Sequence, residues 1–276
     1  MCEASTDFSA VMPIHNESEL LKLSLPALYR LDPAETILLF DNCTDDSYNV
    51  AVEIAKKMKF FEKTVFKTVS GEEGAQFSFR PTFLRRIGYS IAKCNKILKT
   101  DADLVLDQKI KDYVPLLGKD NVGIITFEYL DYPISYRHMI KRFLEKIGIP
   151  LPQSERWLGG NILFFLEDWK MAFQKRQEDE SKKVDLSKVK RGEDTLFHKL
   201  LISEQRRSII VLTNTLHLRP VESPKRHYVR GQISWNVAKR SFPLILAQAI
   251  IFNRFNMIKG YLDARKGIDR THLTKP

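Results

Sequence analysis

Short apolar segments alternate with helical patterns along the first 130 residues, and this alternation constrains the fold more than any other feature of the chain. Segments with the length and composition of buried strands cover residues 8–13, 36–40, 64–69, 96–100 and 122–129. Helical patterns lie between them, one starting after an Asn16 N-cap and others covering 47–59 and about 82–93. Strand–helix–strand units join through right-handed crossovers, so the sequence predicts an α/β fold with a largely parallel sheet.

Polar and acidic clusters follow three of these strands. They cover residues 13–17, 41–46 and 101–103. Ligands of open α/β sheets bind beyond the carboxyl ends of the strands. The coincidence of three such clusters therefore predicts a ligand site at this edge of the sheet.

The third cluster, in TDADLVLD, contains Asp101 and Asp103 two residues apart. In an extended segment, side chains at this spacing point the same way. Two carboxylates held close together must be solvated or must share a cation. A bare D-x-D is also typical of a strand end that meets a solvated loop, so its meaning depends on the other motifs.

The second half of the chain is less regular. A helix is predicted over 133–147, a strand within WLGGNILFFLEDW (157–169), a charged loop over 174–191, a helix over 192–201 and a strand over 208–212. Residues 233–267 carry bulky apolar residues interleaved with Lys and Arg, a pattern typical of one or two amphipathic helices interrupted near Pro243.

Composition narrows the class of protein. The 276 residues are 43% hydrophobic and 28% charged, as in soluble globular proteins, and no apolar run is long enough to span a membrane. Three scattered cysteines and the lack of a signal-peptide pattern predict a cytoplasmic protein with no disulfide framework. The net charge of +10, concentrated in the last third, suits nucleic acid, an anionic membrane or a phosphorylated ligand.

The motifs MPIHNE, LLFDNCTDDS, LRRIG, TDADLVLD, GGNILF and GED, followed by a lone His, occur in the order found in glycosyltransferase family 2. The resemblance covers about residues 8–225. It implies the GT-A fold: a Rossmann-like three-layer sandwich with a mostly parallel central sheet. It also implies an inverting transferase that moves a sugar from a UDP- or GDP-sugar to a hydroxyl or lipid-phosphate acceptor.

The resemblance assigns roles to particular residues on the donor side. A departing diphosphate builds up negative charge, which a hard divalent cation such as Mn²⁺ or Mg²⁺ can neutralise. Asp103 and His217 correspond to ligands of that cation. The residues that correspond to the nucleotide-sugar-binding positions are Pro13, His15, Glu17, Asp41, Arg85, Asp101 and Ala102.

Asp194, in GED, corresponds to the general base that takes the proton of an acceptor hydroxyl. An acidic pair at a helix N-terminus is also favoured by the helix dipole, and Glu193 is expected to orient or cap. A lipid-phosphate acceptor is already anionic and needs no base. Asp45 and Asp46 are expected to be structural caps of the following helix.

One motif and the basic net charge suggest other functions. QSERW (153–157) matches a signature of processive relatives but precedes GED instead of following it, so processivity is rejected, although Trp157 could stack on an acceptor sugar. The competing functions are a basic nucleic-acid-binding protein and a sugar-phosphate nucleotidyltransferase. The sequence contains no known nucleic-acid-binding motif. The N-terminal loop MPIHNE lacks the glycines that are typical of nucleotidyltransferases.

The expected organisation is a GT-A domain over 1–225 with a C-terminal helical region over 226–276. The nucleotide-binding half of the domain would cover about 1–130 and the acceptor half about 131–225. Residues 233–267 are expected either to pack on the catalytic domain or to make peripheral contact with an anionic membrane.

Overall fold

The computed structural model describes residues 6–75, 80–131, 161–171, 197, 205–219, 224–236, 240–251 and 255–268. The chain divides into two compact units, Met1–Arg219 and Pro220–Pro276. The first unit contains the sheet and the three polar clusters, and the second consists of helices where it is described.

The strands of the first unit are β1 (Ser9–Ile14), β2 (Glu35–Asp41), β3 (Thr64–Val69), β4 (Lys96–Lys99), β5 (Leu104–Val105), β6 (Val122–Asp131), β7 (Ile162–Phe165) and β8 (Arg207–His217). Among the described residues of this unit, the helices with complete bounds are α1 (Ser18–Tyr29), α2 (Ser47–Lys57), α3 (Arg80–Ile91) and α4 (Ile110–Tyr113).

Within the described residues, the strands form one eight-stranded sheet in the order β3-β2-β1-β4-β7-β6-β8-β5. Strands β1 to β4 pair in parallel, and so do β6 and β8. Strand β7 runs antiparallel between β4 and β6, and β5 runs antiparallel to β8. The sheet is therefore mixed, with its predicted parallel half intact.

Helices cover both faces of this sheet because successive side chains of a strand point to opposite sides. Ala10 and Met12 of β1 pack in the core cluster that contains Leu21 and Leu25 of α1. Val11, between them, belongs to a second cluster with Leu84 and Tyr89 of α3. The predicted three-layer arrangement is confirmed.

Two local predictions at the strand ends are wrong. Helix α1 begins at Ser18 and not after an Asn16 N-cap; Asn16 instead adopts a left-handed backbone with φ 54°. Strand β4 ends at Lys99, so Asp101 and Asp103 lie in a turn closed by a 3.2 Å hydrogen bond from the Leu104 amide to the Asp101 carbonyl. The two carboxylates therefore do not point the same way along one strand.

The second half of the first unit is described only in part. The strand predicted after the glycine pair is confirmed as β7, and the strand predicted at 208–212 continues to His217. The predicted helix over 133–147 and charged loop over 174–191 lie outside the described residues, and Phe197 is the described member of the helix predicted over 192–201.

The second unit contains α5 (Pro224–Asn236), α6 (Phe242–Ile251) and α7 (Phe255–Arg265). Helix α6 starts at the predicted interruption, with Pro243 in its first turn, where a missing N–H costs nothing. Gly231 of α5 and Gly260 of α7 let the two helices cross closely, because a Cβ on Gly260 would collide with the backbone of Tyr228.

The cysteines differ from prediction. Cys94, which is 1% exposed, is disulfide-bonded, whereas Cys43 is a free thiol. No helix in the described segments is long and apolar enough to cross a bilayer.

Candidate active site

The ends of β1 and β2 carry the residues predicted to hold a nucleobase. His15 Nδ1 lies 2.7 Å from the backbone carbonyl of Asp41, which ties the two strand ends together. Arg80, the first residue of α3, donates from Nε to Asp41 Oδ1 at 2.6 Å. Its other nitrogens donate to the carbonyls of Ser70, Gly71 and Glu73, so Arg80 fixes the Asp41 carboxylate and the loop after β3 together.

The acidic turn after β2 is structural, as predicted, but Asp46, the N-cap of α2, makes no side-chain capping hydrogen bond. Asp45 accepts hydrogen bonds from the amides of Ser18 and Ser47, both at 3.0 Å, and from the Ser47 hydroxyl at 2.5 Å. Slight burial tends to raise the pKa of the Asp45 carboxyl, but these hydrogen bonds outweigh that effect and lower the pKa to about 2. The side-chain oxygen of Asn16 accepts a 2.7 Å hydrogen bond from the backbone N–H of Thr44. Asn16, with its left-handed backbone, therefore joins the end of β1 to the same turn.

The first aspartate of the D-x-D is held by α3. Arg85 is buried and donates from Nη2 to Asp101 Oδ1 at 2.9 Å. Helix α3 can come this close to the sheet because Gly88, one turn after Arg85, lies directly over Val11, where a Cβ would collide with the valine side chain. Arg85, which was predicted only as a nucleotide-sugar-binding residue, therefore contacts the first aspartate of the D-x-D directly.

The second aspartate meets the end of β8. Asp103 Oδ2 lies 3.4 Å from His217 Nε2, and the Asp103 carbonyl accepts a 2.8 Å hydrogen bond from the Leu218 amide. A bulge changes the course of β8 before it reaches His217. The pairing register of β8 with β6 shifts between Glu128 and Tyr129. At this point the Thr213 hydroxyl donates a 2.7 Å hydrogen bond to the Glu128 carbonyl. Antiparallel pairing of Leu104 with His217 then brings the strand end to the turn.

Arg219 connects this pair to the end of β1. Its Nε lies 3.0 Å from Asp103 Oδ2, and its Nη2 forms an ion pair with Glu17 Oε1. The Glu17 amide in turn donates a 2.8 Å hydrogen bond to the Ser47 hydroxyl oxygen. One guanidinium thus balances two largely buried carboxylates from separate parts of the chain.

The structure brings most of the predicted residues into three contacts. These are His15 with Asp41, Arg85 with Asp101, and Asp103 with His217 and, through Arg219, with Glu17. Pro13 lies half-buried in β1, next to Leu39 of β2. The Ala102 side chain packs in the core, so only its backbone could contact a ligand. Asp194, Glu193 and Trp157 lie outside the described residues.

Sequence reasoning missed Arg80 and Arg219. Arg219 follows His217 by two residues in HLRP, a spacing that puts both on one side of an extended chain and could have drawn attention to it. Arg80 precedes Pro81 at a helix start, and nothing in that local pattern indicates a contact with a residue 39 positions earlier.

The residues at the D-x-D fit a divalent cation whose remaining ligands come from a substrate. No three His, Cys, Asp or Glu side chains converge as a full metal site in the part of the chain that is described. Asp103 and His217 offer one carboxylate and one imidazole 3.4 Å apart, close to the roughly 3 Å between neighbouring ligands of an octahedral ion. Such ions commonly take one or two protein ligands and complete their shell with phosphate oxygens and water.

Comparison with solved structures identifies the architecture. S. aureus TarS, residues 1–349, matches with a TM-score of 0.50 and 16% identity, over 96% of this chain and 73% of that one. This is the GT-A fold. A mycobacterial protein matches with the same TM-score and identity over 82% of this chain and 72% of its own.

Glucosyl-3-phosphoglycerate synthase from Mycobacterium tuberculosis, solved with Mn²⁺, UDP and phosphoglyceric acid, gives a TM-score of 0.46 at 14% identity, over 78% of this chain and 72% of its own. No protein-family model and no curated protein sequence matches the chain. The likeness to TarS and to the mycobacterial protein, each at 16% identity and a TM-score of 0.50, establishes the fold, which the order of the motifs predicted.

Proposed function

We propose that the chain is a glycosyltransferase of the family 2 type that transfers a sugar from a UDP- or GDP-sugar. The observation that carries the proposal is the meeting of Asp103 with His217 at the D-x-D turn, beside the Asp101–Arg85 pair. Both contacts lie beyond the ends of parallel strands in a GT-A fold, where a nucleotide ligand is expected.

In this proposal the ends of β1 and β2 receive the nucleoside. The Asp41 carboxylate, fixed by Arg80, would accept a hydrogen bond from a base N–H. His15 and Pro13 would line the same pocket. Asp101 would contact the ribose or sugar, and Arg85, which already touches Asp101, would add positive charge for the diphosphate.

Asp103 and His217 would hold Mn²⁺ or Mg²⁺. When bound, such an ion would neutralise charge that develops on the leaving diphosphate. Arg219 supplies a second positive charge at the same carboxylate, and Glu17 anchors the guanidinium from the side of β1.

Asp194 is proposed as the base that removes the proton from an acceptor hydroxyl, which then attacks the anomeric carbon from the face opposite the diphosphate and inverts it. Asp194→Asn should abolish transfer to a hydroxyl. Transfer to a lipid phosphate should only weaken, because that nucleophile is already ionised. Parallel assays with a sugar alcohol and a polyprenyl phosphate separate the two acceptor classes.

A thermal-shift panel of nucleotide sugars with and without Mn²⁺ tests the donor assignment. Binding to the folded state alone adds about 2.7 kcal/mol at a ligand concentration 100 times Kd, so the true donor should stand out. Asp103→Asn should remove the Mn²⁺-dependent part of the shift and leave the metal-free part. A panel in which no nucleotide sugar shifts the melting temperature would contradict the proposal.

The same panel addresses the competing function suggested by net charge. A salt-dependent shift with random-sequence DNA, without any response to nucleotide sugars, would favour a nucleic-acid-binding protein. The acidic residues at the strand ends disfavour this outcome, because they would repel a phosphate backbone.

A further inference from the structure

Helix α6 of the second unit exposes three large apolar side chains. It contains no charged residue, and Ile245 and Ala249, one turn apart, are fully buried. Leu244, Leu246 and Ile250 lie outside that buried stripe and are 45%, 39% and 58% exposed. We call these three residues the α6 face.

The α6 face is not needed to hold the unit together. Ile245 packs in a small core with Met257 and Tyr261 of α7, supported by Trp235 and Phe242. The Tyr261 hydroxyl donates to the Arg240 carbonyl at 2.8 Å, and α5 crosses α7 closely at Gly231 and Gly260. The unit therefore has its own packing, and the exposed apolar surface remains on its outside.

Helix α7 adds a mixed apolar and basic stripe. Phe255, Lys259 and Leu262 recur at steps of three or four residues, which places them on one side of the helix. Lys266 continues this spacing in the turn just after the helix, where its amide donates to the Leu262 carbonyl at 3.2 Å. All four are exposed, Phe255 at 60%. Alternating large apolar and basic side chains are typical of helices that lie in the interface of an anionic membrane.

The charge of the unit points to the same partner. Residues 220–276 contain eleven Lys and Arg and three Asp and Glu, so they carry +8 of the net charge of +10. A second copy of the unit would be repelled by this charge. Nucleic acid would satisfy the charge but would leave Leu244, Leu246 and Ile250 without apolar partners.

We infer that the second unit binds an anionic lipid surface, with the α6 face inserted among the acyl chains near the headgroups and with Lys259 and Lys266 against the phosphates. The inference does not depend on the proposed transferase activity. It would place a lipid-linked acceptor within reach of the enzyme if that activity is correct.

Vesicle co-sedimentation of the full chain tests the inference. Binding should be strong to vesicles that mix phosphatidylcholine with phosphatidylglycerol, weak to phosphatidylcholine alone, and should fall with added salt. Ile250→Glu should weaken binding by about tenfold or more, because it removes a buried apolar side chain and adds a repelled charge. Lys259→Gln with Lys266→Gln should weaken binding to the anionic vesicles by about thirtyfold and leave binding to neutral vesicles unchanged.

Leu23→Glu is the matched control, because Leu23 of α1 is 57% exposed in the first unit and receives the same charge change. It should bind vesicles as the unaltered chain does. Equal loss in Ile250→Glu and Leu23→Glu would overturn the inference. So would self-association that Ile250→Glu abolishes, or DNA binding that outcompetes the vesicles. The nucleotide-sugar thermal shift, measured without lipid, reports separately on the proposed function.

Discussion

Arg219 Nε lies 3.0 Å from Asp103 Oδ2, on the carboxylate oxygen that also faces His217 Nε2. The guanidinium thus occupies the approach to the aspartate proposed as a metal ligand. A cation bound by Asp103 must share that carboxylate with Arg219 or displace it.

Arg219→Ala is expected to raise the affinity for Mn²⁺ in the absence of nucleotide by about fivefold, because one competing ion pair of roughly 1 kcal/mol is removed. The free Mn²⁺ signal in electron paramagnetic resonance measures this directly. Arg207→Ala, an exposed arginine earlier on β8, provides the control for the change in net charge. Unchanged or weaker Mn²⁺ binding in Arg219→Ala would show that the two cations do not compete.

Arg80→Ala is expected to weaken binding of the preferred nucleoside diphosphate about tenfold, since Asp41 and the loop at 70–75 lose their common anchor. Arg80→Lys should not restore affinity, because one ammonium cannot reach a carboxylate and three carbonyls at once. Calorimetry gives both values, and Lys67→Ala, an exposed residue of β3, is the control. Full rescue by lysine would argue that only the charge matters.

Gly88→Ala is expected to destabilise the protein by about 1–3 kcal/mol, because the added methyl collides with Val11 under α3. Displacement of α3 should also weaken nucleotide binding, as Arg85 is carried on the same helix. Urea unfolding measures the first effect. At Gly71 a Cβ would meet Asn42 at an ordinary 3.6 Å, so Gly71→Ala should change stability little; similar losses in both variants would refute the packing argument.

Tyr29 makes stability sensitive to alkaline pH. Burial raises its pKa to about 12, although the hydrogen bond with Thr64 partly opposes this. The tyrosine of the unfolded chain ionises near pH 10, so deprotonation favours unfolding, and the free energy of unfolding should decline by about 2 kcal/mol between pH 10 and 12.

Tyr29→Phe should lower the free energy of unfolding by about 1 kcal/mol near neutral pH, because the hydrogen bond with Thr64 is lost. Above pH 10 the stability of this variant should depend less on pH than that of the unaltered chain. Chemical denaturation at a series of pH values shows whether the two curves converge. Tyr48→Phe, at a residue 43% exposed, should follow the unaltered chain throughout.

The parallel half of the sheet could be predicted from the sequence because its strands and helices are encoded locally. Strand β3 has the predicted bounds, and the predicted apolar face of α1 is buried in the core. The order of the motifs added the GT-A fold. Local periodicity was sufficient where each strand is followed by its own helix.

The remaining features depend on contacts between distant parts of the chain. The two-residue strand β5 exists only through its pairing with β8, and the bulge at Thr213 depends on the Glu128 carbonyl. Arg80 and Arg219 were missed for the same reason, since their partners lie in other elements. Asp101 and Asp103 were expected to point the same way because they are two residues apart in an extended segment. That expectation failed because these long-range pairings place the two residues in a turn.

The turn at 101–103 joins strands that are far apart in the sheet, since β7, β6 and β8 lie between β4 and β5. One aspartate is fastened to α3 and the other to the tip of β8. Any sliding of β8 along its neighbours must therefore open or narrow the gap between the two acids, so the spacing of this short motif is governed by the longest strand in the sheet.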